Sequence, residues 1–162
     1  MRYFTKELWS KLNNYDENIR NQAEKEWHIN SLSYQRQFAE AKKHLSCRFV
    51  KNYLSRNGLH DYTILDISIA KKAQTYCCEL HLSNGEETVL IVMVGIKALM
   101  VNIDSFHCCV QGKLTWGYSE FEITPDNNVK LSILCDEQNE MQFEFEEIRF
   151  IKEDRSGDGS VS

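Results

Sequence analysis

The spacing of hydrophobic residues in this chain changes at Asn57-Gly58. Before that point, apolar residues recur in steps of three, four and seven from Ile19 to Tyr53, which is the period of one helix face. After it, apolar and polar residues alternate in short runs rich in β-branched and aromatic side chains, as strands do. The pattern predicts a helical part over residues 5–57 and a β-rich part over residues 60–152.

Capping residues set the ends of the predicted helices. Thr5 and Asp16 each precede an apolar-periodic run and are expected to cap it, and Asn57-Gly58 supplies the left-handed residue that commonly ends a helix. The poor helix formers at 30–33 fall where the apolar stripe skips a position, so the second helix is either continuous or broken there.

The β-rich part reads as an antiparallel meander of about six strands, with the helices packed on one face of it. Asn84-Gly85 predicts a hairpin, and Glu146-Glu147 shifts the alternation as a β-bulge does. Residues 97–103 fit either a strand or an irregular segment, and 108–111 a weak pairing. The strands are predicted at 62–69, 76–82, 88–94, 114–123, 129–135 and 141–150.

The apolar faces of the last hairpins also predict a register, with Ile123 opposite Val129 and Cys135 opposite Met141. This register makes one sheet face acidic, because it puts Lys130 between Glu122 and Glu146, and Ser132 between Glu120 and Glu144. The opposite face, which carries Phe121, Leu131 and Phe143, is expected to form the core under the helical stripe.

Length and composition fit one soluble α+β domain over residues 1–154, followed by a disordered tail at 155–162. The longest apolar run, residues 89–96, is far shorter than the roughly 20 residues of a membrane span. The first residues contain no secretory signal, so a cytoplasmic location with reduced cysteines is expected.

Charge divides at the same place as the hydrophobic pattern. Residues 1–56 hold 11 Lys and Arg against 6 Asp and Glu, whereas residues 57–162 hold 8 against 18. The overall charge of −5 disfavours nucleic-acid binding, except by the basic helical arm alone. Glu120, Glu122, Lys130, Glu144 and Glu146 are therefore candidates for binding a basic protein partner.

Other candidate chemistry in the sequence has an ordinary structural explanation. Cys77-Cys78 and Cys108-Cys109 lie near histidines, but adjacent residues on a strand point to opposite faces and lack the spacing of zinc ligands. His60-Asp61 is expected to be a structural junction pair, since consecutive side chains in an extended segment diverge. The sequence contains no phosphate loop or nucleophile elbow, and no metal or cofactor is predicted.

Two segments resemble known proteins. The opening Met1-Arg2-Tyr3-Phe4-Thr5-Lys6-Glu7 resembles the start of an uncharacterised family of Gram-positive bacterial proteins. The junction Leu59-His60-Asp61-Tyr62 and the segment 141–150 are similar to that family's C-terminal β region, and also to small immunity proteins that neutralise bacterial toxins. Neither resemblance brings a catalytic residue, and both imply binding rather than turnover.

We therefore expect a non-enzymatic protein-binding protein, immunity- or antitoxin-like, whose acidic sheet face masks a basic toxin or nuclease surface. One alternative is a metal-dependent or cysteine and histidine enzyme. Another is a phage or host regulatory protein that contacts nucleic acid through the basic helical arm.

Overall fold

The computed structural model of the chain describes residues 1–102, 114–135 and 139–153. Helices and antiparallel sheets are both present, which confirms the α+β class. The helices are α1 (Lys6–Leu12), α2 (Glu17–Ala41) and α3 (Cys47–Ser55), with short 3₁₀ turns at Lys42–His44 and Asn57–Leu59. The strands are β1 (Tyr62–Lys72), β2 (Thr75–Ser83), β3 (Thr88–Val94), β4 (Ala98–Asn102), β5 (Leu114–Trp116), β6 (Tyr118–Ile123), β7 (Val129–Leu134), β8 (Glu140–Phe145) and β9 (Glu147–Glu153).

Both predicted helix caps are confirmed. The Thr5 hydroxyl accepts the Leu8 N–H at 3.2 Å, and the Asp16 carboxylate accepts two N–H groups in the first turn of α2. Of the two alternatives for the second helix, the continuous one is observed, because α2 runs unbroken through residues 30–33. The chain breaks later, at Leu45, which is extended, and Ser46 then caps α3.

The predicted single meander is wrong, since the nine described strands form two antiparallel sheets. One sheet has five strands in the order β5-β1-β2-β3-β9, and the other has four in the order β4-β8-β7-β6. Within the described residues, the chain crosses from one sheet to the other at three bends, at residues 95–97, at Gly117 and at Glu146. The predicted strands at 114–123 and 141–150 each contain one of these bends, so each of them serves two sheets. A shift of the apolar phase within a strand is also what a bulge produces, so the sequence pattern does not distinguish the two.

The register is correct for one hairpin and wrong for the next. Ile123 lies opposite Val129 as predicted, but Met141 lies opposite Ile133 rather than Cys135. The Cys135 N–H instead bonds the Asn139 carbonyl at 2.9 Å, as part of the connection between β7 and β8. A shift of two residues keeps every side chain on the same face, so the apolar pattern could not resolve it.

The core lies between the two sheets, with α3 packed at its edge. The predicted face of Phe121, Leu131 and Phe143 is fully buried, but the five-stranded sheet contributes much of what covers it, through residues such as Leu80 and Ile91. The predicted cover by the helical stripe is present in part, because the rings of Phe49 and Tyr53 lie 5.8 and 5.4 Å from that of Phe121. The prediction did not include the second sheet, whose strands β1–β3 have an apolar face of their own to bury.

Helix α2 lies along the open edge of β6. The Tyr34 hydroxyl accepts the Phe121 N–H at 2.9 Å, and the Gln37 side-chain amide donates to the Phe121 carbonyl at 3.1 Å. The helix therefore satisfies backbone groups that an edge strand would otherwise leave open.

No helix within the described ranges is long and apolar enough to cross a membrane. The predicted pairing at 108–111 and the tail at 155–162 lie outside the described residues. The division into one domain and a tail stays a prediction.

Candidate functional site

Three of the five predicted partner-binding residues form one row on the outer face of the four-stranded sheet. Glu122, Lys130 and Glu144 are directly paired across β6, β7 and β8. Lys130 Nζ lies 3.7 Å from Glu122 Oε2, while Glu144 accepts a hydrogen bond of 2.9 Å from the Asn128 amide. The observed register thus replaces the predicted neighbour Glu146 by Glu144, and all three side chains remain partly exposed.

A shallow depression of about 270 Å³ adjoins this row. Its lining includes Lys130 and Glu144 together with Ala98 and Met100 of β4, and Met100 is 47% exposed. The open part of this face therefore combines carboxylates with an exposed apolar side chain. We call it the acidic strand face, defined by Glu122, Lys130, Glu144 and Met100.

Glu120 does not belong to this open surface. Its side chain is 1% exposed, and it accepts the backbone N–H groups of Arg2, Tyr3 and Phe4 at 2.8, 2.7 and 2.7 Å. Its cross-strand neighbours are Ser132 and, beyond it, Gln142, not the predicted Glu144. The N-terminal segment lies over this part of the sheet, and nothing in the strand pattern signals that cover.

Glu146 lies at the bend between β8 and β9, outside the row. Its N–H donates to the Val94 carbonyl at 3.1 Å, and its exposed carboxylate pairs with Lys97. The bulge predicted at this position is therefore the point at which the chain changes sheets.

His60 and Asp61 lie where the helical part joins β1, and their side chains converge. His60 Nδ1 and Asp61 Oδ2 are 2.9 Å apart, and the His60 ring meets Tyr118 edge-on with centroids 4.9 Å apart. The expected divergence of the two side chains is wrong because Asp61 has a φ of 69°, so the segment is not extended.

Four of the five residues at this junction have left-handed backbone. The φ values of Asn57, Gly58, Leu59 and Asp61 are 49°, 67°, 65° and 69°. Asparagine, aspartate and glycine tolerate this region, but a leucine there is strained. Leu59 is fully buried, so packing holds it in place.

Beside this junction lies a cleft of about 290 Å³, which we call the junction cleft. Apart from His60, its walls are largely aromatic and come from the N-terminal segment, α2, α3 and β6. The rings are Phe4, Tyr34, Phe38, Tyr53 and Tyr118.

Polar groups in one wall of the cleft are hydrogen-bonded to one another. The Tyr53 hydroxyl and Ser119 Oγ are 2.7 Å apart, and the Trp116 indole N–H donates to the same Oγ at 3.2 Å. A β-carbon at Gly58 would lie 3.0 Å from the Tyr53 hydroxyl, so glycine gives the close approach that this wall needs.

The tyrosines of the cleft are held in their neutral form. Burial raises the pKa of Tyr53 to about 12, and burial together with Tyr53, Glu120 and Glu122 raises the pKa of Tyr34 further. The pKa of Tyr118 is raised by burial and by the Asp61 carboxylate. The cleft therefore offers phenol rings and hydroxyl groups rather than phenolates.

Of the cysteines that the structure describes, three are buried and one is exposed. Cys78 is fully buried, and burial raises the pKa of its thiol to about 11, so it remains a protonated thiol. His107, Cys108 and Cys109 lie outside the described residues. Within residues 1–102, 114–135 and 139–153, no three His, Cys, Asp or Glu side chains are grouped so that they could hold a metal ion.

The sequence pattern missed the junction cleft. The apolar helical stripe predicts core positions for its residues, and these include Tyr34, Phe38 and Tyr53. Phe4 and Tyr118 come from segments that only the tertiary fold brings together. The signal in the sequence that points to the cleft is the number of aromatic residues on this stripe.

No family model, curated protein or solved structure matches this chain significantly. The resemblance of its opening segment and junction to an uncharacterised Gram-positive family and to immunity proteins stays a prediction.

Proposed function

We propose that this protein is a non-enzymatic protein-binding protein that masks a basic surface of a toxin or nuclease, as an immunity or antitoxin protein does. The proposal places both proteins in the cytoplasm. Its partner surface is the acidic strand face, without Glu120 and Glu146, because the first is buried and the second lies apart from the row.

The observation that carries the proposal is the row of Glu122, Lys130 and Glu144 beside the exposed Met100. A row of carboxylates that ends beside an exposed apolar side chain suits a partner that brings lysines or arginines to the row and an apolar side chain to Met100. Lys130 lies between the two carboxylates and keeps them from repelling one another when the face is unoccupied.

The charge of the β-rich part also favours a basic partner. Residues 57–162 hold 18 acidic against 8 basic side chains, and such a surface speeds the approach of a basic partner. Because the carboxylates of the acidic strand face are partly exposed, salt is expected to slow association and weaken the complex.

The partner to test first is a toxin or nuclease encoded beside this gene. The two proteins are co-expressed and titrated, and toxicity to the host cell is scored with and without this protein. The double variant E122Q/E144Q is expected to bind at least about tenfold more weakly and to show a shallower salt dependence. Absence of both complex and protection would overturn the proposal.

The matched control carries the same change of charge on another surface. Glu24 and Glu26 are exposed on α2, so E24Q/E26Q removes two carboxylates without touching the acidic strand face. Equal weakening by the two double variants would show that overall charge, rather than this face, holds the partner.

A further inference from the structure

We propose that the junction cleft binds an organic cation of the alkylammonium or guanidinium class, with its charge against the faces of the aromatic rings. The site is separate from the acidic strand face, and its occupant need not be a protein.

The rings around the cleft are inclined to one another over a wide range of angles, from 31° for Phe4 and Tyr118 upward. Phe4 and Tyr34 have centroids 5.5 Å apart and planes inclined by 79°, and His60 and Tyr118 are inclined by 67°. Phe38 and Tyr53 are inclined by 47°. Rings inclined in this way form walls that face different directions, which is the arrangement in which several ring faces can surround one cation.

The charged side chains that line or adjoin the His60 wall of the cleft favour a cation. The residues that line the cleft include no lysine or arginine, whereas Asp61, with a side chain that is 81% exposed, lies beside the His60 wall.

Two tyrosines of the cleft, Tyr34 and Tyr118, lie close to carboxylates. Burial is the largest cause of their raised pKa values; Tyr53 and then Glu120 and Glu122 also raise the pKa of Tyr34, and Asp61 raises that of Tyr118. A field that opposes a phenolate favours a positive group at the same place. Neutral phenol rings also keep the electron-rich faces that attract cations.

The size of the cleft points to a small cationic group. Its volume of about 290 Å³ lies at the lower end of the range for ligand pockets. One trimethylammonium or guanidinium group with part of its chain fits this range better than a large ligand. Both a free small cation and the side chain of a lysine or arginine carry this chemistry.

The test is calorimetric titration of the whole protein with choline and with its neutral analogue, in which a tert-butyl group replaces the trimethylammonium group. The two probes have nearly the same shape, so a difference in affinity measures the charge. Choline is expected to bind about tenfold more tightly than the neutral analogue. A third titration with N-acetyl-arginine methylamide shows whether a side-chain guanidinium binds better than the free cation.

Two variants and one matched control locate the site. D61N removes an exposed charge beside the cleft and is expected to weaken choline about threefold at low salt, while leaving the neutral analogue unchanged. D66N makes the same change on an exposed residue of β1 outside the cleft lining, and it should have no effect. Y118L removes one ring face and should weaken choline further, provided that circular dichroism shows a folded protein.

The proposal is overturned if the neutral analogue binds as tightly as choline, if no cation binds at millimolar concentration, or if D66N matches D61N. Preference for choline or for the arginine derivative supports the site and identifies its source as a free cation or a peptide side chain. These titrations need no partner protein, so their failure is distinct from failure of the proposed protein-binding function.

Discussion

Replacement of Glu120 by glutamine is expected to loosen the N-terminal segment from the four-stranded sheet. The carboxylate is 1% exposed and accepts three consecutive backbone N–H groups, from Arg2, Tyr3 and Phe4, at 2.7–2.8 Å. Glutamine keeps one acceptor oxygen but places an NH₂ donor where the other oxygen now accepts from Arg2. E120Q therefore loses one charge-assisted hydrogen bond and converts two others into weaker neutral ones.

The expected loss of stability follows from those three bonds. A hydrogen bond to a charged group contributes about 1.5–3 kcal/mol and a neutral one about 1 kcal/mol, so the loss of one charged bond and the weakening of two should cost about 2.5–7 kcal/mol. Complete detachment of the segment would also lose the burial of Phe4, about 1.5–3 kcal/mol. It would further break the hydrogen bonds of Met1 to Glu140 and of Asn30 to the Tyr3 carbonyl. A loss of about 3 kcal/mol lowers the Tm by roughly 6–12 °C in a domain of this size.

Urea unfolding measures the change, and hydrogen exchange shows where it arises. The amides of Arg2, Tyr3 and Phe4 should exchange much faster in E120Q than in the unmodified protein. E122Q is the matched control, since Glu122 is the next acidic residue on β6 but is partly exposed, and its loss should be under about 1 kcal/mol. A stability change in E120Q within about 0.5 kcal/mol, with those amides still protected, would refute the reasoning.

Three further predictions follow from single positions. Hydrogen bonds from Arg56 and Tyr62 lower the pKa of the Glu87 carboxyl to about 2. A lowered folded-state pKa gives stability that is complete above the unfolded value of 4.5 and is lost as the pH falls toward about 2. Over that range the free energy of unfolding should therefore fall by about 1–2 kcal/mol more than it does in E87Q, after solvent screening. G117A should destabilise the protein severely, because its β-carbon would lie 2.5 Å from a backbone carbonyl of β7. G85A, which strains a φ of 89° in open space, should cost only about 1–2 kcal/mol in the same urea titration. Alkylation followed by peptide mass spectrometry should label the exposed Cys47 well before the buried Cys78, and equal labelling in native buffer would contradict the burial.

Much of the secondary structure could be predicted because it depends on local chemistry. Thr5 and Asp16 cap their helices through their own side chains, and β2 and β3 are joined by the predicted Asn84-Gly85 turn. The end of the helical part also depends on local backbone, because Asn57 and Gly58, just after α3, both adopt left-handed conformations. Each of these features is fixed within a few residues of the chain.

Features that depend on distant residues could not be predicted. The β7–β8 register differs from the expected one by two residues, and neither the apolar pattern nor the connecting loop distinguishes the two. Glu120 and Glu122 occupy equivalent positions in the alternating pattern of β6. Glu120 is nevertheless buried beneath the N-terminal segment, whereas Glu122 is partly exposed. Which carboxylate remains available to a partner is decided by a segment more than 100 positions away in sequence.

The strain at the junction and the shape of the cleft have a common origin. A left-handed leucine costs about 1–3 kcal/mol, so tertiary contacts must hold Leu59 where it is. They include its complete burial and, just before it, the Arg56 guanidinium, which donates to both oxygens of Glu87 at 2.6 and 3.0 Å. Just after it, the Asp61 N–H donates to the Trp116 carbonyl at 2.9 Å. These contacts fix His60 and Gly58 against the rings of the junction cleft, so a ligand would meet walls already in place and would not have to order a loop on binding.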